Sequence, residues 1–106
     1  MYFIHLEKED DSSPLSLEQW ISIIKKDPEM IYSNIVSYVS PFGENITKSG
    51  GFYGIWRPKN EPNIEVVFTY HDGVISAIYD SKILRKLQEI SEKIDGFVYG
   101  DNEEEY

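Results

Sequence analysis

Two histidines, His5 and His71, and 19 carboxylates are the side chains of this 106-residue chain with the usual chemistry of acids, bases and metal ligands. Neither histidine has the other at metal-ligand spacing. Each falls in or at the end of an alternating apolar segment, which reads as a structural or solvent-facing ring. There is no cysteine, so disulfides, thiolate nucleophiles and cysteine-ligated metal centres are excluded. No serine sits in a nucleophile-elbow pattern. Gly50-Gly51-Phe52-Tyr53-Gly54 lacks the Lys-Ser/Thr that completes a phosphate loop. The acidic tail lacks the alternating ligands and central glycine of a calcium loop. The residues therefore predict no catalytic group, no metal site and no cofactor, and a protein that is not an enzyme.

What remains is charge and aromatic surface. The net charge is −9. Glu7, Glu9, Asp10 and Asp11, with Lys8 among them, form one acidic cluster, and Asp101, Glu103, Glu104 and Glu105 form a second, leaving the body between them close to neutral. Such a chain repels nucleic acid and attracts a basic protein. Acid of this kind also serves solubility. Aromatic residues make up 14% of the chain, more than so small an interior holds, and Tyr53, Trp56 and Tyr106 are the rings expected to anchor a partner beside the acidic rim. The start of the chain has no basic segment before an apolar one, and no stretch is long enough to span a membrane, so the expected location is the cytoplasm, with no membrane partner.

The elements that must position these residues are organised around Ile64–Tyr79. Two apolar runs flank Asp72-Gly73, the dipeptide of a type I′ hairpin turn, which sets Ile75 opposite Tyr70 and Val74 opposite His71. Before it, Tyr2–Glu7 alternates as a strand. Ser16 and Gln19 are spaced as a capping box, with Leu15 and Trp20 at the staple positions, and Leu17, Trp20, Ile21 and Ile24 give a helical stripe that Pro28 ends. Ile35–Ser40 and Phe52–Arg57 read as strands, separated by a loop that can pair briefly near Ile46. Gly54 suggests a bulge or a close approach. After the hairpin, Asp80 or Ser81 caps a second helix with Ile83, Leu84, Leu87, Ile90 and Ile94 inside and Arg85, Lys86, Glu89, Glu92 and Lys93 outside. Gly96 is expected to take the left-handed cap, and Phe97–Gly100 is a last strand. The fold predicted is a single α+β domain over 1–106, ordered β-α-β-β-β-β-α-β, with a mainly antiparallel sheet of about five strands and both helices on one face. A strand-helix-strand crossover places the last strand parallel to Val74–Tyr79 or another neighbour. With the first and last strands parallel, both acidic clusters leave from one end of the sheet and form one patch.

Ser16-Leu17-Glu18-Gln19-Trp20 resembles the Ser/Thr-Leu-Glu-Glu-Trp helix start of a group of small bacterial proteins. In that group a hairpin with an aromatic residue, a turn glycine and an isoleucine follows, as Phe68 to Ile75 do here. The chain then ends in a Gly-Asp-Asp-Gly-Glu-x-Tyr pattern, which here reads Gly100-Asp101-Asn102-Glu103-Glu104-Glu105-Tyr106, departing at Asn102 and Glu103. Some members look like immunity proteins, the antitoxin partners of polymorphic or contact-dependent toxins. The resemblance implies a protein that binds and neutralises a toxin domain, and a nuclease, whose phosphate site is basic, suits the acid. A small enzyme or ligand-binding domain and a structural or adaptor module are the alternatives.

Overall fold

The computed structural model describes residues 2–106. Its elements run β1 (Phe3–Lys8), α1 (Leu17–Lys26), β2 (Met30–Val39), β3 (Asn45–Trp56), β4 (Val66–His71), β5 (Val74–Ile78), α2 (Ser81–Glu92) and β6 (Gly96–Gly100). The predicted element order is therefore observed. The sheet has six strands in the order β2-β3-β4-β5-β1-β6, every neighbour antiparallel.

Local chemistry fixes several of these elements as expected. The Ser16 side chain accepts the Gln19 N–H at 3.1 Å and Gln19 Oε1 accepts the Ser16 N–H at 3.0 Å, the reciprocal capping box. Leu15 and Trp20 are both fully buried at the staple. Asp72 (φ 47°) and Gly73 (φ 88°) form the two left-handed positions of the hairpin turn, with His71 opposite Val74 and Tyr70 opposite Ile75. Gly54 marks a close approach: a Cβ there would lie 2.7 Å from the Trp20 ring, 3.0 Å from Met30 and 3.1 Å from Ile24. Both helices pack on one face, where Ile4, Leu6, Trp20, Ile24, Phe68, Ile75, Leu87, Ile90 and Val98 make a single core.

Four expectations are corrected. The β2–β3 hairpin is longer than its apolar runs, because β3 begins at Asn45 and pairs along all of Val39–Ile35 before the ladder reaches the Ser33–Tyr53 pair. Backbone pairing carries that part, where side-chain pattern is weak. Gly96 is not the left-handed residue. Asp95 takes that conformation (φ 51°), which a short polar side chain tolerates, and Gly96 enters β6 where a Cβ would meet the Glu7 carbonyl at 2.7 Å. Lys86 is buried rather than on the outer face, 7% exposed against Asp27 and Trp56. Lastly, β6 runs in the same direction as β5, as a crossover requires, but β1 lies between them and is antiparallel to both. The acidic clusters consequently leave β1 and β6 from opposite ends.

Candidate partner-binding surface

On the face away from the helices, strand registers align one row of side chains across all six strands: Ser33, Tyr53, Thr69, Ser76, His5 and Tyr99. Among the described residues no helix covers this face. At its β1–β6 end lies an open trough of about 500 Å³ lined by Glu7, Glu9, Phe97, Tyr99, Glu103 and Glu105. Four carboxylates, two from each acidic cluster, thus surround two aromatic rings whose centroids are 5.6 Å apart.

The two clusters meet through a reversal of the C-terminal tail rather than through parallel strands. After β6 the chain reverses. The Gly100 N–H bonds to the Glu104 carbonyl at 2.9 Å, the Glu103 N–H to the Gly100 carbonyl at 3.0 Å, and Glu103 itself is left-handed (φ 63°). The tail then runs back antiparallel along β6, with Glu105 bridged to Tyr99 and the Tyr106 N–H on the Val98 carbonyl at 2.9 Å. This return brings Glu103 and Glu105 alongside Glu7 and Glu9. Opposite strand ends are reconciled by a five-residue turn.

Inside the trough the Tyr99 hydroxyl donates to Glu7 Oε2 at 2.5 Å. Burial, then this hydrogen bond and the Glu7 charge, push the Tyr99 hydroxyl far above its ordinary value, so the ring stays neutral and holds the carboxylate in place. No ion pair of the described residues involves Glu7, Glu9, Glu103 or Glu105. The aromatic floor and acidic walls suit an arginine or lysine side chain, which stacks on the ring and pairs with carboxylate.

The other expected residues divide. Asp101 turns inward: Oδ2 accepts the Phe3 N–H and Oδ1 meets His5 Nε2, both at 2.8 Å. The His5 and Phe3 hydrogen bonds hold its carboxyl below the usual range. Asp10 is occupied by Ser12, whose hydroxyl and N–H both donate to it and lower its pKa. Asp11 is exposed, and Glu104 turns to the Asn102 N–H. Tyr106 stays half exposed beside Tyr79, 5.9 Å between centroids, on the outer edge of β6. Tyr53 shares the uncovered face but stands on β3, four strand spacings or about 19 Å from Tyr99. Trp56 is not a surface anchor. It is 9% exposed on the helix face, near Phe68, with its Nε1 donating to Glu29 at 3.3 Å.

Two arrangements escaped sequence reasoning. His5 Nδ1 lies 2.7 Å from Ser76 Oγ while its Nε2 meets Asp101, so a serine, a histidine and an aspartate are joined in a line. Residues 5, 76 and 101 have no sequence proximity, and only strand order aligns them. On the helix face, Lys86 Nζ contacts Asp27 at 2.5 Å and Glu89 at 2.9 Å and lies 5.5 Å from the Trp56 ring centre. Burial is the largest single influence and opposes charge on both Asp27 and Lys86, but their mutual hydrogen bond, the Glu29 N–H on Asp27, the Glu89 carboxylate on Lys86 and the attraction of the opposite charges together outweigh it, lowering the Asp27 pKa and raising that of Lys86. Beside them a shallow groove includes Glu29, Glu61, Lys82 and Arg85, with Lys82 paired to Glu61. No group of three or more His, Cys, Asp or Glu among the described residues is placed to hold a metal ion, and no helix is long and apolar enough to cross a membrane. Neither protein-family models, curated proteins nor solved structures match the chain.

Proposed function

We propose that this protein is a non-enzymatic immunity protein that binds a basic bacterial toxin domain through the trough on the uncovered face. The observation that carries the reading is the assembly of Glu7, Glu9, Glu103 and Glu105 around Phe97 and Tyr99. Like charges this close repel one another, so folding tolerates the arrangement at a cost that a cationic partner relieves. A toxin whose active site is a basic phosphate cradle presents the complementary chemistry. Carboxylates on the inhibitor occupy the phosphate positions and exclude the substrate.

The test is binding and inhibition. The chain is mixed with the cognate toxin domain that this reading requires, to be sought in the adjacent reading frame, and complex formation and residual toxin activity are followed against molar ratio. Stoichiometric inhibition, weakened by salt and by Glu7→Gln/Glu105→Gln, is expected. Undiminished toxin activity with excess chain overturns the proposal.

A hydrolase is the second reading, favoured by the Ser76–His5–Asp101 line. Nucleophile, base and orienting acid are within hydrogen-bond reach. Against it, Ser76 lies on a strand paired on both sides, to Thr69 and His5, so its neighbouring backbone N–H groups serve the ladders rather than an oxyanion. Turnover of an activated ester that Ser76→Ala abolishes is the outcome this second reading requires.

A further inference from the structure

The C-terminal reversal carries charges that repel one another. Glu103, Glu104 and Glu105 are consecutive, and docking sets Glu103 and Glu105 beside Glu7 and Glu9. Its backbone bonds are few: the Gly100 N–H on the Glu104 carbonyl, the Glu103 N–H on Gly100 and the Tyr106 N–H on Val98, at 2.9 to 3.0 Å. Glu103 adds a left-handed position at φ 63°. A segment with exposed hydrogen bonds and little buried surface opens locally at low free energy, and like charges at close range favour the opening. A further restraint therefore decides whether the tail stays on β6.

Among the four acids of the tail, Asp101 is the one whose side chain hydrogen-bonds to the sheet. Oδ2 accepts the Phe3 N–H and Oδ1 meets His5 Nε2, both at 2.8 Å, while His5 Nδ1 meets Ser76 Oγ at 2.7 Å. Strand length explains the first bond. β6 reaches Gly100 opposite Ile4, so the carboxylate of the next residue takes the place of a strand acceptor for Phe3. Through the second bond the start of the tail is tied to β1 by His5 and onward to β5 by Ser76. His5 is held at both ring nitrogens and packs on Tyr99, 5.1 Å between centroids, which makes it a fixed post. Hydrogen bonds to an ionised acceptor are roughly twice as strong as neutral ones. Gly100 leaves the room for so close a return, since a Cβ there would collide with the Glu104 carboxylate and the Tyr2 hydroxyl.

We propose that residues 101–106 form a strap, docked on β6 or released, with Asp101 as its latch and His5 and Ser76 as the groups that position the latch. The trough is complete only while the strap is docked, because Glu103 and Glu105 leave with it. The strap belongs to the free chain. Its consequence for a partner rests on the function proposed above: a partner that needs all four carboxylates binds with an affinity reduced by the docked fraction. The test is hydrogen exchange, followed by NMR on the full chain with no partner present, so the result stands or falls apart from toxin binding. The amides of Gly100, Glu103 and Tyr106 report docking, and those of the β1–β5 ladder report the sheet. In the wild type all three are expected to be protected. Asp101→Ala is expected to speed their exchange at least about tenfold, as loss of hydrogen bonds to a charged group implies, and to leave the ladder unchanged. Asp101→Asn, which keeps an acceptor for the Phe3 N–H and offers a donor to the His5 ring, is expected to restore most of the protection. Loss of charge alone has the opposite sign, since removing one carboxylate relieves repulsion and slows exchange. Unprotected tail amides in the wild type overturn the proposal, as does unchanged or slower exchange in Asp101→Ala. An Asp101→Asn variant as unprotected as Asp101→Ala overturns the role given to these hydrogen bonds.

Discussion

Glu103 occupies a left-handed backbone position (φ 63°) that glycine fills without strain, in a tail whose other residues make an ordinary reversal. A carboxylate is kept there, at the wall of the trough, despite a conformational cost of roughly 1–2 kcal/mol. Glu103→Gly is therefore expected to stabilise the fold by about 1 kcal/mol while slowing association with a basic partner. Urea midpoints and association rates measured on the same variant check both halves. Lys86 illustrates the reverse case, a charge that the fold needs. Lys86→Ala leaves the Asp27 carboxylate buried without its partner and is expected to cost about 3–5 kcal/mol. The pair also sets a pH window. Asp27 is lowered in the folded state, so its stabilisation holds above the ordinary value of 3.8 and is lost as pH falls through the folded value below it. Lys86 is raised, so its contribution holds below 10.5 and is lost as pH climbs above it. Stability is expected to be level through the neutral range and to fall at both extremes, with Asp27→Asn removing part of the acid-side fall. Lys86 was illegible in the sequence for a physical reason. Helical periodicity puts it on the polar face of α2, and only the approach of the α1 C-terminus turns that position inward.

At the scale of elements, what depends on near neighbours in the chain was readable. The Ser16–Gln19 capping box and the Asp72-Gly73 turn are closed by residues within three positions of one another, and both formed as expected. Ser16→Ala is expected to cost about 1 kcal/mol. Trp20→Ala should cost about 3–5 kcal/mol, because the ring is fully buried and donates its Nε1 proton to the Phe52 carbonyl at 3.3 Å. Gly73→Val and Gly43→Ala separate space from backbone strain. Both positions are left-handed, but a Cβ at Gly73 would stand 3.1 Å from Pro14 while nothing lies within 4 Å at Gly43. The Gly73 variant should therefore have the lower midpoint in denaturant, and equal midpoints would contradict the turn and its packing. Long-range pairing was not readable. Whether β6 lies beside β1 or β5 depends on whether the first strand inserts between them, and no residue of β6 encodes that. The length of β3 was hidden because Asn45–Gly51 has little strand propensity and pairs through its backbone.

For the whole molecule, the acidic patch was expected from parallel strands and arises instead from an antiparallel pair followed by a reversal of the tail. Charge sorting survives the change of topology: acid gathers at the β1–β6 end, and the β2–β3 hairpin is neutral. That asymmetry underlies the proposed function, since the crowded acidic end suits a cationic partner. The expected anchors scatter for a topological reason. Strand order sends Tyr53 to the far side of the face and Trp56 into the helix layer, while Phe97 floors the trough with Tyr99. The most direct test of the proposed function is the association rate of the chain with the basic toxin domain that the proposal requires, as a function of salt, for the wild type and for Glu7→Gln/Glu9→Gln/Glu103→Gln/Glu105→Gln. Fast association that falls steeply with salt in the wild type, and is slow and nearly salt-independent in the variant, is the predicted result. Identical rates and salt slopes for the two proteins would contradict it.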